Sequence, residues 1–254
     1  MPRRLSLLMA LVASLAIAAC SSTPLAPPLT DPKEILTKSV EATLKAKSVH
    51  FQAVMSGTIS ADMTGAGQPS EFKLDGTTAE GDLDIAGKKV RASFSAPAFL
   101  GLTGEAIQIG STSYFKTSLT GAKYQKQVTD DVSVDEATDP AKAMEELRKV
   151  LEMPGMSPTK VADSKCGDNK DCYNVEFDLT GDELAAMASE APDPSLAGAA
   201  FKLTIGVERE SLRMSKMTLA VTLPEMGSVD LTVNMTKWDE PVTITEPAAD
   251  QIAP

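Results

Sequence analysis

The chain reads as an α+β protein built on one large antiparallel sheet with a few helices packed on one face, and three observations lead there. Apolar and polar residues alternate with a period of two over most of residues 48–236, short turn-rich stretches separate the alternating runs, and only two or three segments carry helical spacing. Strands that outnumber helices this heavily favour one sheet over two separate domains.

The first 30 residues stand apart from this pattern. Arg3 and Arg4 precede an apolar run from Leu5 to Ala19, which ends in Ile17-Ala18-Ala19-Cys20. Such a run is too short for the roughly 20 residues a spanning helix needs. A basic start, an apolar stretch and small residues before a cysteine instead predict a lipoprotein signal peptide over residues 1–19. The mature chain then begins at Cys20, carrying a thioether-linked diacylglycerol and an N-acyl chain such as palmitate, enough acyl chain for stable anchoring. This places the protein on the extracytoplasmic side of the cell membrane. Residues 20–30 hold three prolines within Ser21–Thr30 and form a tether that reaches roughly 30 Å when extended. Residues 31–254 form the single folded domain.

Each element of that domain has a local cause. Asp31-Pro32-Lys33-Glu34 opens a helix, with Asp31 as N-cap, Pro32 at the first helical position and Glu34 placed to complete a capping box. The helix is expected to run to about Lys47, with Leu36, Val40 and Leu44 on its apolar face and Ile35 alongside. From Ser48 the period becomes two. Val49, Phe51, Ala53 and Met55 share a face, followed by Phe72 and Leu74, Leu83 and Ile85, Val90, Ala92 and Phe94, and Ile107 and Ile109. Asp139-Pro140 opens a second helix, carrying Met144, Leu147, Val150 and Leu151. Strands resume with Tyr173 to Leu179, interrupted by a brief helix at Thr180–Glu183, and continue through Phe201 to Val207, Leu219 to Leu223 and Val229 to Met235.

Composition excludes several classes of function. The formal charge is −11, and it becomes more negative once a signal segment holding two arginines and no acid is removed. A nucleic-acid groove needs clustered Lys and Arg, which this chain lacks. His50 is the only histidine, which removes any two-histidine metal site, and no Gly-x-Ser-x-Gly elbow accompanies it. His50 reads as a solvated or hydrogen-bonded strand residue. Acids between Asp130 and Asp139 lack the alternating frame of a calcium loop and read as a solvated face. No catalytic residue, metal or cofactor is expected, so the chain is not read as an enzyme. Cys166 and Cys172, flanking a turn-rich spacer in an exported chain, are expected to form a disulfide; two thiolates alone would leave zinc half-coordinated.

The helix followed by Ser48-Val49-His50-Phe51, together with the ending Trp238-Asp-Glu-Pro-Val-Thr-Ile-Thr-Glu-Pro-Ala-Ala-Asp250, resembles the LppX/LprG family of envelope lipoproteins. The resemblance implies a curved half-barrel similar to the LolA/LolB carriers, with helices on its concave face over an apolar cavity. It also implies binding of lipid or acylated glycolipid, carried within the cell envelope, with an envelope transporter as a further partner. No binding motif transfers, so the alternation supplies the cavity candidates: Phe51, Met55, Phe72, Leu74, Phe94, Ile107, Phe177, Leu203, Leu231 and Val233. The loop Ala96–Thr103, with Phe99, Leu100 and Leu102, is either a membrane-facing lip of the cavity or a buried crossover. The rival reading is an envelope lipoprotein with a filled core that serves as a protein-interaction module.

Overall fold

The computed structural model describes residues 28–61, 69–128, 148, 157–183, 197–224 and 226–253. The predicted signal peptide and Cys20, most of the second helix and the acidic stretch 130–139 lie outside them.

Helix α1 (Pro32–Leu44) starts as its sequence dictates. The Asp31 carboxylate accepts the Lys33 backbone N–H at 2.9 Å, and Pro32 occupies the first turn. Glu34 does not reach back to the cap; it pairs with Lys38 one turn on, at 2.8 Å. The helix stops at Leu44, three residues early, because Lys47 is already committed to the sheet: its carbonyl accepts the Ile85 N–H at 2.8 Å. The buried face consists of Ile35, Leu36, Ser39, Val40 and Thr43, whereas the predicted Leu44 is 40% exposed.

The strands are β1 (Ser48–Ala61), β2 (Ser70–Lys73), β3 (Thr77–Asp84), β4 (Lys89–Ala96), β5 (Leu102–Ile109), β6 (Thr112–Thr117), β7 (Gln125–Val128), β8 (Thr159–Cys166), β9 (Lys170–Thr180), β10 (Ala200–Glu208), β11 (Met214–Leu223) and β12 (Gly227–Thr236). They form one open, wholly antiparallel half-barrel sheet in the order β7-β6-β5-β4-β3-β1-β12-β11-β10-β9-β8, with β2 added beside the end of β1. The first and last strands therefore meet in the middle, Phe51 opposite Met235 and Met55 opposite Leu231. Gly57 lets β1 bend against β12. Its φ is +113°, and a Cβ there would stand 2.2 Å from the Ser228 carbonyl oxygen.

Helix α1 lies on the apolar, concave face at the β9–β11 end. Ile35, Leu36 and Val40 meet Tyr173, Val175, Phe177, Ile205, Val207 and Met214, all at most 4% exposed. Burying each such aliphatic side chain is worth about 1.5–3 kcal/mol, so this cluster is the principal core. Thr43 Oγ1 accepts the Met214 N–H at 3.3 Å and fixes the helix across the strand ends. Cys166 and Cys172 are bonded, joining β8 to β9 around the turn Gly167–Asn169. The Thr180–Glu183 capping box is present: the Thr180 N–H donates to the Glu183 carboxylate at 2.7 Å, and the Glu183 N–H donates to Thr180 Oγ1 at 3.2 Å.

After β12 the chain becomes a strap over the other, convex face. Asp239 ties its root: the carboxylate accepts the Lys47 N–H at 2.8 Å and pairs with Arg213, whose guanidinium lies over the Trp238 ring. The strap reaches β7, where Tyr124 and Ile252 form a parallel bridge and the Tyr124 N–H donates to the Gln251 carbonyl at 2.8 Å.

Candidate functional site

Strand pairing shows which side chains share the concave face. One row runs Phe94, Ala79, Ala53, Val233, Met217, Ile205, Val175 from β4 to β9. The next runs Met55, Leu231, Leu219, Leu203, Phe177, and a third Val229, Val221, Phe201, Leu179. Phe51 opposite Met235, and Phe72 opposite Ile59, extend the same face. Leu74, whose N–H donates to the Gly57 carbonyl at 2.8 Å, closes it beside β2 and is 3% exposed.

Phe51, Met55, Phe72, Phe94, Phe177, Leu203, Leu231 and Val233 thus come together on one surface, and Leu74 lies buried just beyond β2, outside the strand pairing. Ile107 does not. It pairs with Arg91 and Tyr114 on the convex face and is buried there with Tyr114, Tyr124 and Ile244 under the strap. The reason is register: one step along a strand reverses the side chain, and in β5 it is Ala106 and Gly104 that face the concave side, opposite Ala92 and Phe94. Gly104 leaves room for the Phe94 ring, whose nearest carbon would stand 2.4 Å from a Cβ at that position. Ala53, Ala79, Met217, Leu219, Val221 and Val229 also belong to the face and were recoverable from the same alternation.

Burial divides this surface. Beneath α1, Val175 and Val207 are fully buried and Phe177 is 3% exposed. Away from α1, over β1, β3, β4 and β12, the apolar side chains Phe51, Met55, Leu83, Phe94, Leu231 and Val233 are only half-buried. No charged side chain belongs to the rows that run from β4 to β9. Such a surface can exchange water for hydrocarbon.

The convex face has the opposite chemistry. His50 Nδ1 lies 2.9 Å from Asp82 Oδ1 across β1 and β3, the hydrogen-bonded strand position expected of it. Near the strap, the Tyr124 hydroxyl donates to Glu105 at 2.7 Å and Lys116 pairs with the same carboxylate at 2.9 Å. These two contacts, the tyrosine first, hold the Glu105 carboxyl below the usual carboxylate range, while burial and then Glu105 push the Tyr124 phenol up. Asp239 is likewise held low, by the Lys47 N–H first and then by Arg213. A cavity of about 850 Å³ at the strand ends near Leu29 and Tyr173 is lined mostly by charged residues, including Lys165, Asp171, Glu208 and Arg209. Two ion pairs join lining residues, Lys165 with Asp171 at 2.7 Å and Lys170 with Glu208 at 2.8 Å, and Arg209 pairs with Asp163 at 3.8 Å. Among the described residues no cluster of three or more metal-ligating side chains occurs, and no helix is long and apolar enough to cross a membrane.

No protein-family model and no curated protein matches this chain. Solved structures do. The lipoprotein LppX of Mycobacterium tuberculosis is 15% identical, with a TM-score of 0.53 over 84% of this chain and 98% of its own. LprF from Mycobacterium bovis is 17% identical, with a TM-score of 0.54 over 88% of this chain and all of its own. The chain therefore has the half-barrel fold of the LppX and LprF structures, as the resemblance implied.

Proposed function

We propose that this chain is a membrane-anchored lipoprotein of the cell envelope that shelters the acyl chains of a lipid or glycolipid against its concave face and carries them within the envelope. One observation carries the reading: a continuous apolar surface runs over half the sheet beyond α1, with side chains such as Phe51, Phe94 and Leu231 only half-buried. Each methylene moved from water onto that surface is worth about 0.8 kcal/mol. Acyl chains need no hydrogen-bond partners, and the face offers none in its central rows. Anchoring through Cys20 and the tether 21–30 keeps the carrier at the membrane that supplies or receives cargo. No step of this process requires bond chemistry.

Support also comes from the fold, which is that of proteins described as lipoproteins. Native mass spectrometry of the chain exported and purified without detergent, followed by organic extraction, tests the proposal. A co-purifying mass released as lipid is the expected result. A bare protein mass that also takes up neither added phospholipid nor added glycolipid overturns it and favours an interaction module with a filled core.

A further inference from the structure

The hairpin turns at the end of the sheet opposite α1 carry a second feature. Two exposed leucines stand at neighbouring tips: Leu100, 94% exposed, between β4 and β5, and Leu119, 72% exposed, between β6 and β7. The two turns are tied together, the Ser118 N–H donating to the Thr103 carbonyl at 2.8 Å and the Thr103 N–H to Ser118 Oγ at 3.2 Å.

Both tips are held in shape. Leu100 has a φ of +55°, a conformation a leucine adopts only under constraint, and the Gly101 N–H closes the turn on the Pro97 carbonyl at 3.1 Å. Phe99 turns back and stacks on Phe72, ring centroids 6.3 Å apart, which throws the next side chain outward. In the second turn, the Thr117 N–H donates to Thr120 Oγ1 at 2.9 Å and the Thr120 N–H to Thr117 Oγ1 at 3.1 Å. Of the loop read from the sequence, Leu100 projects and Phe99 does not, and Leu119 projects beside it from a strand pair the sequence did not disclose.

Charge identifies the partner. In a chain of net charge −11, residues 97–103 and 117–123 contain no acid and a single base, Lys123; besides the two leucines they hold Pro97, Phe99 and Leu102, and otherwise only Thr, Ser, Gly and Ala. Two separated leucines ringed by threonine and serine are too small a patch for a stable protein interface, which needs about 800 Å² per partner. They suit the boundary between headgroups and acyl chains, which takes isolated apolar side chains to a depth of about 5–10 Å. We infer that Leu100 and Leu119 form a docking rim by which this end of the sheet enters the surface of a lipid bilayer, bringing the edge of the concave face to the acyl layer. The inference rests on the carrier reading for its purpose only; its geometry stands alone.

The test uses the full acylated chain reconstituted in phosphatidylcholine vesicles, with Trp238→Phe removing the native indole. Leu100→Trp then reports the rim and Ser111→Trp, in a turn at the other end of the sheet, serves as control. Vesicles are expected to blue-shift the Leu100→Trp emission and bromine on the upper acyl chain to quench it, with Ser111→Trp unchanged; equal emission with plain and brominated lipid overturns the rim. Should the tryptophan variants not fold, wild-type amide exchange decides: slower exchange at 98–101 and 118–121 on vesicles, with 110–111 unchanged, supports the rim, and no slowing overturns it. Neither readout involves cargo, so a protein that carries lipid without inserting its rim refutes this inference alone.

Discussion

The two halves of the sheet are held from opposite sides. Strands β9–β11 are backed on the concave face by α1, and the inward side chains nearest the helix, Val175, Ile205 and Val207, are at most 1% exposed. Strands β4–β7 are backed on the convex face, where the C-terminal strap seals Ile107, Tyr114, Tyr124 and Ile244. Their concave side chains stay half-buried, as Phe94 does, or exposed, as Ala106 and Phe115 are. The same alternation of apolar residues therefore ends in packed core in one half and in accessible surface in the other. A half-barrel keeps an apolar surface accessible by moving part of its stabilising core to the back.

Mutations that remove equal chemistry from each half should separate them. Ile205→Ala, in the helix-backed half, is expected to cost about 2–5 kcal/mol in urea unfolding. A cost below about 1 kcal/mol would mean that α1 does not pack as described. Cys172→Ser in the same half should cost about 2 kcal/mol, the stabilisation expected for closing so short a loop. Phe94→Ala, in the strap-backed half, should cost only about 1–2 kcal/mol without lipid, since a half-exposed ring gives up less than the 3–5 kcal/mol of a buried one. The same variant should bind lipid more weakly, and a core-sized loss in lipid-free protein would erase the contrast.

Acid should act on the strap-backed half first. Glu105 and Asp239 have folded pKa values below their ordinary 4.5 and 3.8. Groups lowered on folding stabilise above the unfolded pKa and lose that contribution as pH falls through the folded one. Amides around Tyr124 and Ile252 should thus lose exchange protection below about pH 4, before those of β9 and β10, and Glu105→Gln should flatten this pH dependence. Smallest of all, Leu100→Ser should leave the unfolding midpoint within about 0.5 kcal/mol of wild type, since its side chain touches solvent rather than either core.

Particular residues show how far the sequence could be read. Asp31-Pro32 placed α1 correctly because capping is local chemistry, and the alternation placed Phe51, Leu203 and Val233 on one face because their strands carry large apolar groups on one side only. Strand β5 carries them on both: Leu102 and Ala106 face one way, Ile107 and Ile109 the other. Choosing the larger side chains put Ile107 on the wrong face. What covers it is Ile244, from a segment with no periodicity of its own. Strands β6, β7 and β8 were missed for a related reason; Thr112–Thr117, Gln125–Val128 and Thr159–Cys166 are mostly polar and pair at or near the sheet edges. The site divides similarly. Which residues face inward was legible, but that Phe177 lies under α1 while Phe94 stays half-open depends on where a helix comes to rest.

The meeting of β1 and β12 at the middle of the sheet has a consequence for how the molecule is made. The bond from Ser48 to the Glu240 carbonyl joins residues 192 apart in sequence. Pairings that distant require the intervening chain to close a large loop before they reward it, and they form late. A partly synthesised chain would hold β1 to β3 but not β12, so neither the continuous apolar surface nor the strap behind it would yet exist. The apolar face is therefore complete only when the last strand and the strap behind it are in place, so an unfinished chain lacks it.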